Sequence, residues 1–268
     1  MKKNILITGT STGVGLESAV LFAQNGFKVY ASMRNLAKAT ALESKIASDQ
    51  LDIEIIQLDV TDMASIEAAV KRVIDQDGKI DLLLNNAGAG FARNIEQSTE
   101  EQINWVTDVN YIGVIRTTKA VLPHMRAAKS GHIINVTSVG GLVGQPFNEL
   151  YCGAKFAVEG FTEALSAYVT VPFNVHFSLV EPGGIATEFM NNAVAKTVDQ
   201  AGQLSSGDYA PIFQKYLGAA QNRAKNSEVS TYQTGKEVAE VILQVAQLKT
   251  QMDPDGTKLV KQVRDYFL

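Results

Sequence analysis

The sequence has little of what would place it among disulfide-bonded, metal-binding or membrane proteins. Its one cysteine, Cys152, can form neither an internal disulfide nor a thiolate cluster. Its three histidines, His124, His132 and His176, fall at no spacing that suits a metal ion, and no metal site is expected. No apolar run reaches the roughly 20 residues of a membrane-spanning helix. The apolar run in "MKKNILITGTSTG" stops at Thr8 with no small-residue cleavage site behind it, unlike a secretory leader. There is no lysine and arginine block, and the net charge is -4, which disfavours a nucleic-acid partner. These absences lead to the expectation of a reduced, cytoplasmic protein that binds neither membrane nor nucleic acid.

What remains is an ordinary globular composition, with 268 residues of which 46% are hydrophobic and 19% charged. That length suffices for a sizeable core. Short apolar runs at 4–8, 27–33, 53–60, 81–88, 132–138 and 174–184 read as strands. They alternate with helical patterns at 14–26, 36–49, 63–76, 99–128, 151–169 and 235–249. Such alternation predicts an α/β fold, a doubly wound parallel sheet with helices on both faces. No repeat, linker or composition shift divides the chain, so one domain over 1–268 is expected. Residues 188–232 break the alternation and read as an excursion that forms a lid or binding loop.

The first strand ends in "TGTSTGVG". Gly9 permits the turn, Gly13 lets a ligand approach the backbone, and Gly15 lets the next helix pack on the strand. A glycine turn between a strand and a helix presents bare N–H groups and a helix N-terminus to a pyrophosphate. This makes the expected sheet Rossmann-like and its ligand a dinucleotide. At the end of the second strand an acid would favour NAD and an arginine the 2′-phosphate of NADP. The sequence there is "ASMRN", with no acid and with Arg34, so NADP is the expected cofactor, NADPH being preferred over NADH.

In "ELYCGAKFAVEGF", Tyr151 and Lys155 stand four residues apart at the start of an amphipathic helix, on one face. A lysine cation beside a phenol lowers its pKa from the reference near ~10, which would suit the tyrosine to acid–base work.

Together these segments resemble the short-chain dehydrogenases/reductases, over residues 3 to about 190. "TGTSTGVG" is similar to the family's TGxxxGxG turn, "NNAG" (85–88) to its sheet-stabilising motif and "YCGAK" to its YxxxK signature. Asn110 in "DVNYIG" resembles its helix asparagine, Ser138 lies 13 residues before Tyr151 as is usual, and "EPGGIATEF" resembles the PGxxxT segment. The resemblance implies a catalytic set of Asn110, Ser138, Tyr151 and Lys155. It implies cofactor contacts from Gly9, Ser11, Thr12, Gly13, Val14 and Gly15 in the turn, and from Asp59 and Val60 at the adenine. Asn86, Ala87, Gly88, Pro182, Gly183, Ile185 and Thr187 would complete them, with Arg34, Tyr151 and Lys155. The tail "DPDGTKLVKQVRDYFL" departs from the family, lacking a clear aromatic-Val-Gly strand.

The implied reaction interconverts a carbonyl and an alcohol by hydride transfer. Tyr151 would be the general acid or base, Lys155 would lower its pKa and hold the nicotinamide ribose, and Ser138 would bind the carbonyl oxygen. Asn110 would hold a water in a proton relay. Phe91, Val139, Leu142, Val143, Phe147 and Leu150 are candidate pocket walls, with Phe189, Met190, Tyr209, Ile212, Phe213 and Tyr216 from the excursion. An apolar wall suits a bulky, hydrophobic small-molecule ketone, aldehyde or alcohol. His132 and His176 are expected to be structural. The alternatives are a non-catalytic NADP-binding sensor on the same fold, or an epimerase or dehydratase reaction at the same site. A homodimer or homotetramer is implied, pairing through the long helices at 99–128 and 151–169.

Overall fold

The computed structural model of the chain describes residues 2–185, 197–198, 202–226 and 232–248. Six strands form one parallel sheet: β1 (Asn4–Thr8), β2 (Lys28–Met33), β3 (Ile53–Gln57), β4 (Leu82–Asn85), β5 (Gly131–Val136) and β6 (Val175–Val180). Their order is β3-β2-β1-β4-β5-β6, so the chain winds outward from β1 in one direction and, after crossing over, from β4 in the other. β1 and β4 are buried along their whole lengths, as strands covered by helices on both faces must be.

The first five helices are α1 (Gly13–Gln24), α2 (Thr40–Asp49), α3 (Met63–Asp77), α4 (Glu100–Thr107) and α5 (Gly113–Ala128). They are followed by α6 (Glu149–Phe173), α7 (Tyr209–Asn226) and α8 (Gly235–Leu248). One apolar layer joins α1, α2 and α8 to the sheet through residues such as Phe22, Leu42 and Ile242. The other joins α3, α5 and α6 to the opposite face through Ile66, Val121 and Leu165. Local chemistry marks several ends. Asp62 caps α3 by accepting from the Ala64 N–H, and Gly78 ends it in the left-handed region. Thr99 and Gln102 form a reciprocal capping box on α4.

Three features differ from the expected elements. The helical region at 99–128 is two α-helices joined by a π turn at Asp108–Ile112. The helix that carries Tyr151 begins at Glu149 and runs on to Phe173. Within the excursion at 188–232, α7 is a helix where no helix was expected, and the tail after 248 lies outside the described residues.

Candidate active site

The sequence-predicted groups among the described residues meet along the C-terminal ends of the strands, at the point where the strand order reverses between β1 and β4. The loop after β1 carries the glycine turn, and Gly9 and Gly13 both adopt positive φ, 73° and 58°. A β-carbon on Gly15 would lie 2.2 Å from the Gly9 carbonyl oxygen and 2.5 Å from Asn86 Nδ2. Glycine is therefore required for α1 to abut the exit of β1. Asn86 Nδ2 donates to the carbonyls of Thr8 and Gly9 at 2.9 and 3.0 Å. Thr8 Oγ1 accepts the N–H groups of Asn86 and Ala87, each at 3.0 Å. These bonds join the two loops beside the crossover into one unit.

At the start of α1, Thr12 makes no side-chain cap bond and the first turn holds no acid. The first-turn N–H donors and the positive end of the helix dipole are thus suited to an anion. With the glycine cradle beside them, they fit the pyrophosphate of a dinucleotide. Ser11 and Val14 sit within the same turn, half-buried and buried.

The residues expected at the adenosine end follow β2 and β3. Met33 is buried in the core, while Arg34 is exposed directly after the strand. Gln57 donates to the Arg34 carbonyl at 3.4 Å, so its guanidinium is not engaged by that contact. Asp59 Oδ1 accepts from the Thr61 N–H and hydroxyl at 2.9 and 2.7 Å, which turns this carboxylate into its own loop. Val60 is buried beside it.

Tyr151, Lys155, Ser138 and Asn110 come from three elements and are all buried. Ser138 caps the short turn Val139–Gly141: its Oγ accepts from the Gly140 N–H at 3.0 Å and donates to the Pro182 carbonyl at 3.4 Å. That bond ties the exits of β5 and β6 together. Lys155 Nζ donates to the Val136 carbonyl at 3.0 Å and lies 5.6 Å from the centre of the Tyr151 ring. A β-carbon on Gly88 would stand 3.1 Å from Asn110 Oδ1 and 3.6 Å from Lys155 Nζ, so the glycine leaves the backbone close to both.

The electrostatics differ from the expectation for the pair. Burial pushes the Tyr151 phenol up to about 12; the hydrogen bond with Ser138 only partly offsets this, and Cys152 nearby adds to the rise. Burial also pulls the Lys155 ammonium down to about 8, with Glu159 one turn on opposing the fall. The expected depression of the phenol is absent because desolvation outweighs a cation that faces the ring. The phenol remains a protonated donor at neutral pH.

Asn110 sits in the π turn, a geometry enriched at functional sites. Its Nδ2 donates to the carbonyls of Ala89 and Val106, both at 2.9 Å, and its Oδ1 accepts from the Ala89 N–H at 3.0 Å. Both donors of the side chain are spent on backbone, so a water held by this side chain would have the remaining acceptor position on Oδ1.

Phe91, Val106, Tyr151 and Cys152 pack as one apolar cluster, with Trp105 and Leu150 against it. Cys152 therefore packs in the same apolar neighbourhood as Tyr151. Phe147 has a left-handed backbone, φ 62°, and its ring meets Phe213 edge-on at 4.9 Å and Tyr216 at 5.9 Å. Val143 and Ile212, expected in the wall, are 64% and 56% exposed. Pro182 is buried and Gly183 and Ile185 half-buried after β6, while Thr187, Phe189 and Met190 lie outside the described residues. His132 is buried near the opposite end of the sheet, its Nε2 2.8 Å from Ser178 Oγ, in line with a structural role.

Two networks were not legible in the sequence. Asn85 Nδ2 donates to Asn135 Oδ1 at 2.8 Å, and Asn135 Nδ2 to Thr162 Oγ1 at 2.9 Å, bracing β4, β5 and α6 below the site. Arg93 and Gln97 fasten the excursion to the loop after β4. Arg93 Nη1 donates to the Thr197 carbonyl at 2.8 Å and Gln97 Nε2 to the Ser206 carbonyl at 2.9 Å. The alternating "NN" and the polar loop "ARNIEQ" were their only local signals.

Comparison with known proteins bears on the family and the fold. The profile described as short chain dehydrogenase matches residues 3–198. The chain is 36% identical over 222 residues to 3-ketodihydrosphingosine reductase of Bacteroides thetaiotaomicron, covering 83% of this chain and 77% of that protein. It is 38% identical over 245 residues to human 17-beta-hydroxysteroid dehydrogenase type 1, covering 89% and 72%. Its fold superposes on a solved variant of actinorhodin polyketide ketoreductase with NADPH at a TM-score of 0.77, with 26% identity over 91% of this chain and 90% of that one. The chain belongs to the short-chain dehydrogenase/reductase family of oxidoreductases.

Proposed function

We propose that the protein is an NADP-dependent oxidoreductase that interconverts a bulky, hydrophobic carbonyl compound and its alcohol, with Tyr151 as the general acid and base. The observation that carries this reading is the burial of Tyr151 with Ser138, beside Lys155 and Asn110, at the mouth of a dinucleotide cradle. The cofactor would be held by the α1 N-terminus and the glycine turn, Asp59 and Val60, Asn86 to Gly88, Lys155, Pro182 to Ile185 and Thr187. When bound, the nicotinamide supplies or accepts a hydride.

The chain's own groups handle the proton and the charge. Ser138 holds the carbonyl oxygen, and Tyr151 gives that oxygen its proton as negative charge develops there. A phenol pushed up to about 12 keeps its proton at neutral pH, which suits the reducing direction. Lys155, pulled down to about 8, keeps most of its charge at neutral pH and stabilises the phenolate left behind. Asn110 holds the start of the relay that returns a proton from solvent.

NADP preference rests on Arg34. No acid stands at the end of β2 to repel a 2′-phosphate, and an exposed guanidinium there can bind it through two donors. The substrate class rests on Phe91, Phe147 and Phe213, which give the cleft an apolar wall. The 3-ketodihydrosphingosine and 17-beta-hydroxysteroid named for the two relatives are of that class. Pairing of two chains along α6 belongs to the same reading, since Phe156, Tyr168 and Val171 stand exposed on that helix.

The experiment is to titrate NADPH and NADH against the purified protein and then supply a panel of ketones, aldehydes and alcohols graded by size and polarity. Tighter NADPH binding with turnover of large apolar ketones supports the proposal. Cofactor binding without turnover of any member would favour the sensor.

A further inference from the structure

α4 and α5 are separated by the π turn at Asp108–Ile112, with buried Asn110 at its centre. A π turn has poorer hydrogen-bond geometry than the helix on either side and persists where other contacts hold it. On the inner side those contacts are the bonds of the Asn110 amide to Ala89 and Val106. On the other side is Arg116, one turn into α5. Its Nη1 donates to Asp108 Oδ1 at 2.7 Å, closing an ion pair across the π turn. The same nitrogen reaches the Val60 carbonyl, in the loop after β3, at 3.4 Å. The close approach that permits this depends on Gly113, where a β-carbon would stand 3.0 Å from the Val60 side chain. One guanidinium thus touches the turn that carries Asn110 and the loop assigned to the adenine.

We propose that Arg116 is a positioning residue that ties the adenine-side loop to the π turn, so that Val60 and Asn110 are held in one arrangement. The functional consequence rests on the roles proposed above for those two residues. Arginine suits the task because Nη1 carries two N–H donors held in the guanidinium plane, one for each acceptor, whereas a lysine would bring a shorter, more strongly hydrated ammonium with no fixed donor directions.

The Ala89 amide reports the arrangement directly, because it donates to Asn110 Oδ1. The experiment compares wild type, Arg116→Met, Arg116→Lys and Asp108→Asn by residue-resolved hydrogen exchange, NADPH titration and steady-state kinetics. In Arg116→Met the Ala89 amide is expected to exchange about tenfold faster, the loss of a charge-assisted bond discounted for its partial exposure. Its NADPH affinity should fall severalfold, and kcat should fall with little change in KM for the carbonyl substrate. Arg116→Lys should lie between the two. Asp108→Asn should speed exchange at Ala89 with a smaller loss of NADPH affinity, because the Val60 contact remains. Unchanged exchange at Ala89 in Arg116→Met would overturn the proposal. So would a uniform rise in exchange across β4 and α5, which is the signature of general destabilisation. If the wild type turned over no substrate, the proposed function would fail, while exchange at Ala89 and NADPH affinity would still decide the role of Arg116.

Discussion

Lys155 approaches Tyr151 from the face of its ring: Nζ lies 5.6 Å from the ring centre and is anchored at 3.0 Å to the Val136 carbonyl. The lysine is placed to support a phenolate as it forms, while the resting phenol stays protonated because burial dominates its ionisation.

Replacing Tyr151 with phenylalanine removes the transferable proton and leaves the ring in the Phe91, Val106 and Cys152 cluster. Turnover is expected to fall by roughly 10²–10⁴-fold. NADPH affinity should stay within about twofold of wild type, since the glycine cradle is untouched. Single-turnover reduction and fluorescence titration check the two halves, and near-normal reduction by the variant would remove Tyr151 from its proposed role.

Lys155 gives a stability signature. Its ammonium is held at about 8 in the folded protein, against an ordinary value of 10.5. Below pH 8 the ammonium is charged in both states, and burial penalises the folded one. Between pH 8 and 10.5 the unfolded chain binds more protons than the folded one, so stability rises with pH there. The wild type should gain about 2 kcal/mol on Lys155→Met as pH rises from 8 to 10. Tyr151 acts in the opposite sense from about pH 9 upward, where the unfolded phenol ionises before the folded one, and this contribution is common to both proteins. Urea unfolding of both proteins across this range is the measurement, and parallel curves would refute the buried-lysine account.

Gly15→Ala should damage both packing and the cofactor cradle. Its β-carbon would meet the Gly9 carbonyl oxygen at 2.2 Å and, at 2.5 Å, Asn86 Nδ2, which is itself bonded to the Thr8 and Gly9 carbonyls. A loss of about 1–3 kcal/mol is expected from overpacking. Cofactor affinity should fall with it, because relief requires α1 to move from the turn. Thermal melts with and without NADPH read both effects. An unchanged melting temperature would show that the contact between α1 and β1 is looser than described.

Arg34→Ala tests cofactor choice apart from catalysis. The residue is exposed, and its side chain is free of any ion pair among the described residues, so its loss should not disturb the fold. NADPH affinity should fall by about tenfold or more, the scale of a charge-assisted bond to phosphate, with NADH affinity nearly unchanged. Isothermal titration with both cofactors checks it; an intact NADPH preference in the variant would clear Arg34 of the role.

Much of the fold was legible in residue order alone. The apolar runs at β1 and β4, the glycines at 9, 13 and 15 and the four-residue step from Tyr151 to Lys155 are local patterns. Their physics is local too: a buried parallel strand needs a continuous apolar run, a tight turn needs positive φ, and one helical turn brings i and i+4 together. Ser138, Asn110 and the segments after each strand were placed by motif spacing, and the sheet then carried them to one edge.

Tertiary structure decided what depends on atoms far apart in the chain. The direction of the Tyr151 shift follows from desolvation by everything packed around it, which no spacing encodes. The π turn at Asn110 inserts one residue into an otherwise regular helical period and is fixed by Ala89 and Arg116 on either side of it. The left-handed Phe147 is held against Phe213 and Tyr216 from the excursion, a contact across more than sixty residues that outweighs its local backbone preference. Local pattern sets which elements form because backbone geometry and periodicity are short-range; the ionisation of the site and the shape of its wall are long-range sums that only the assembled fold completes.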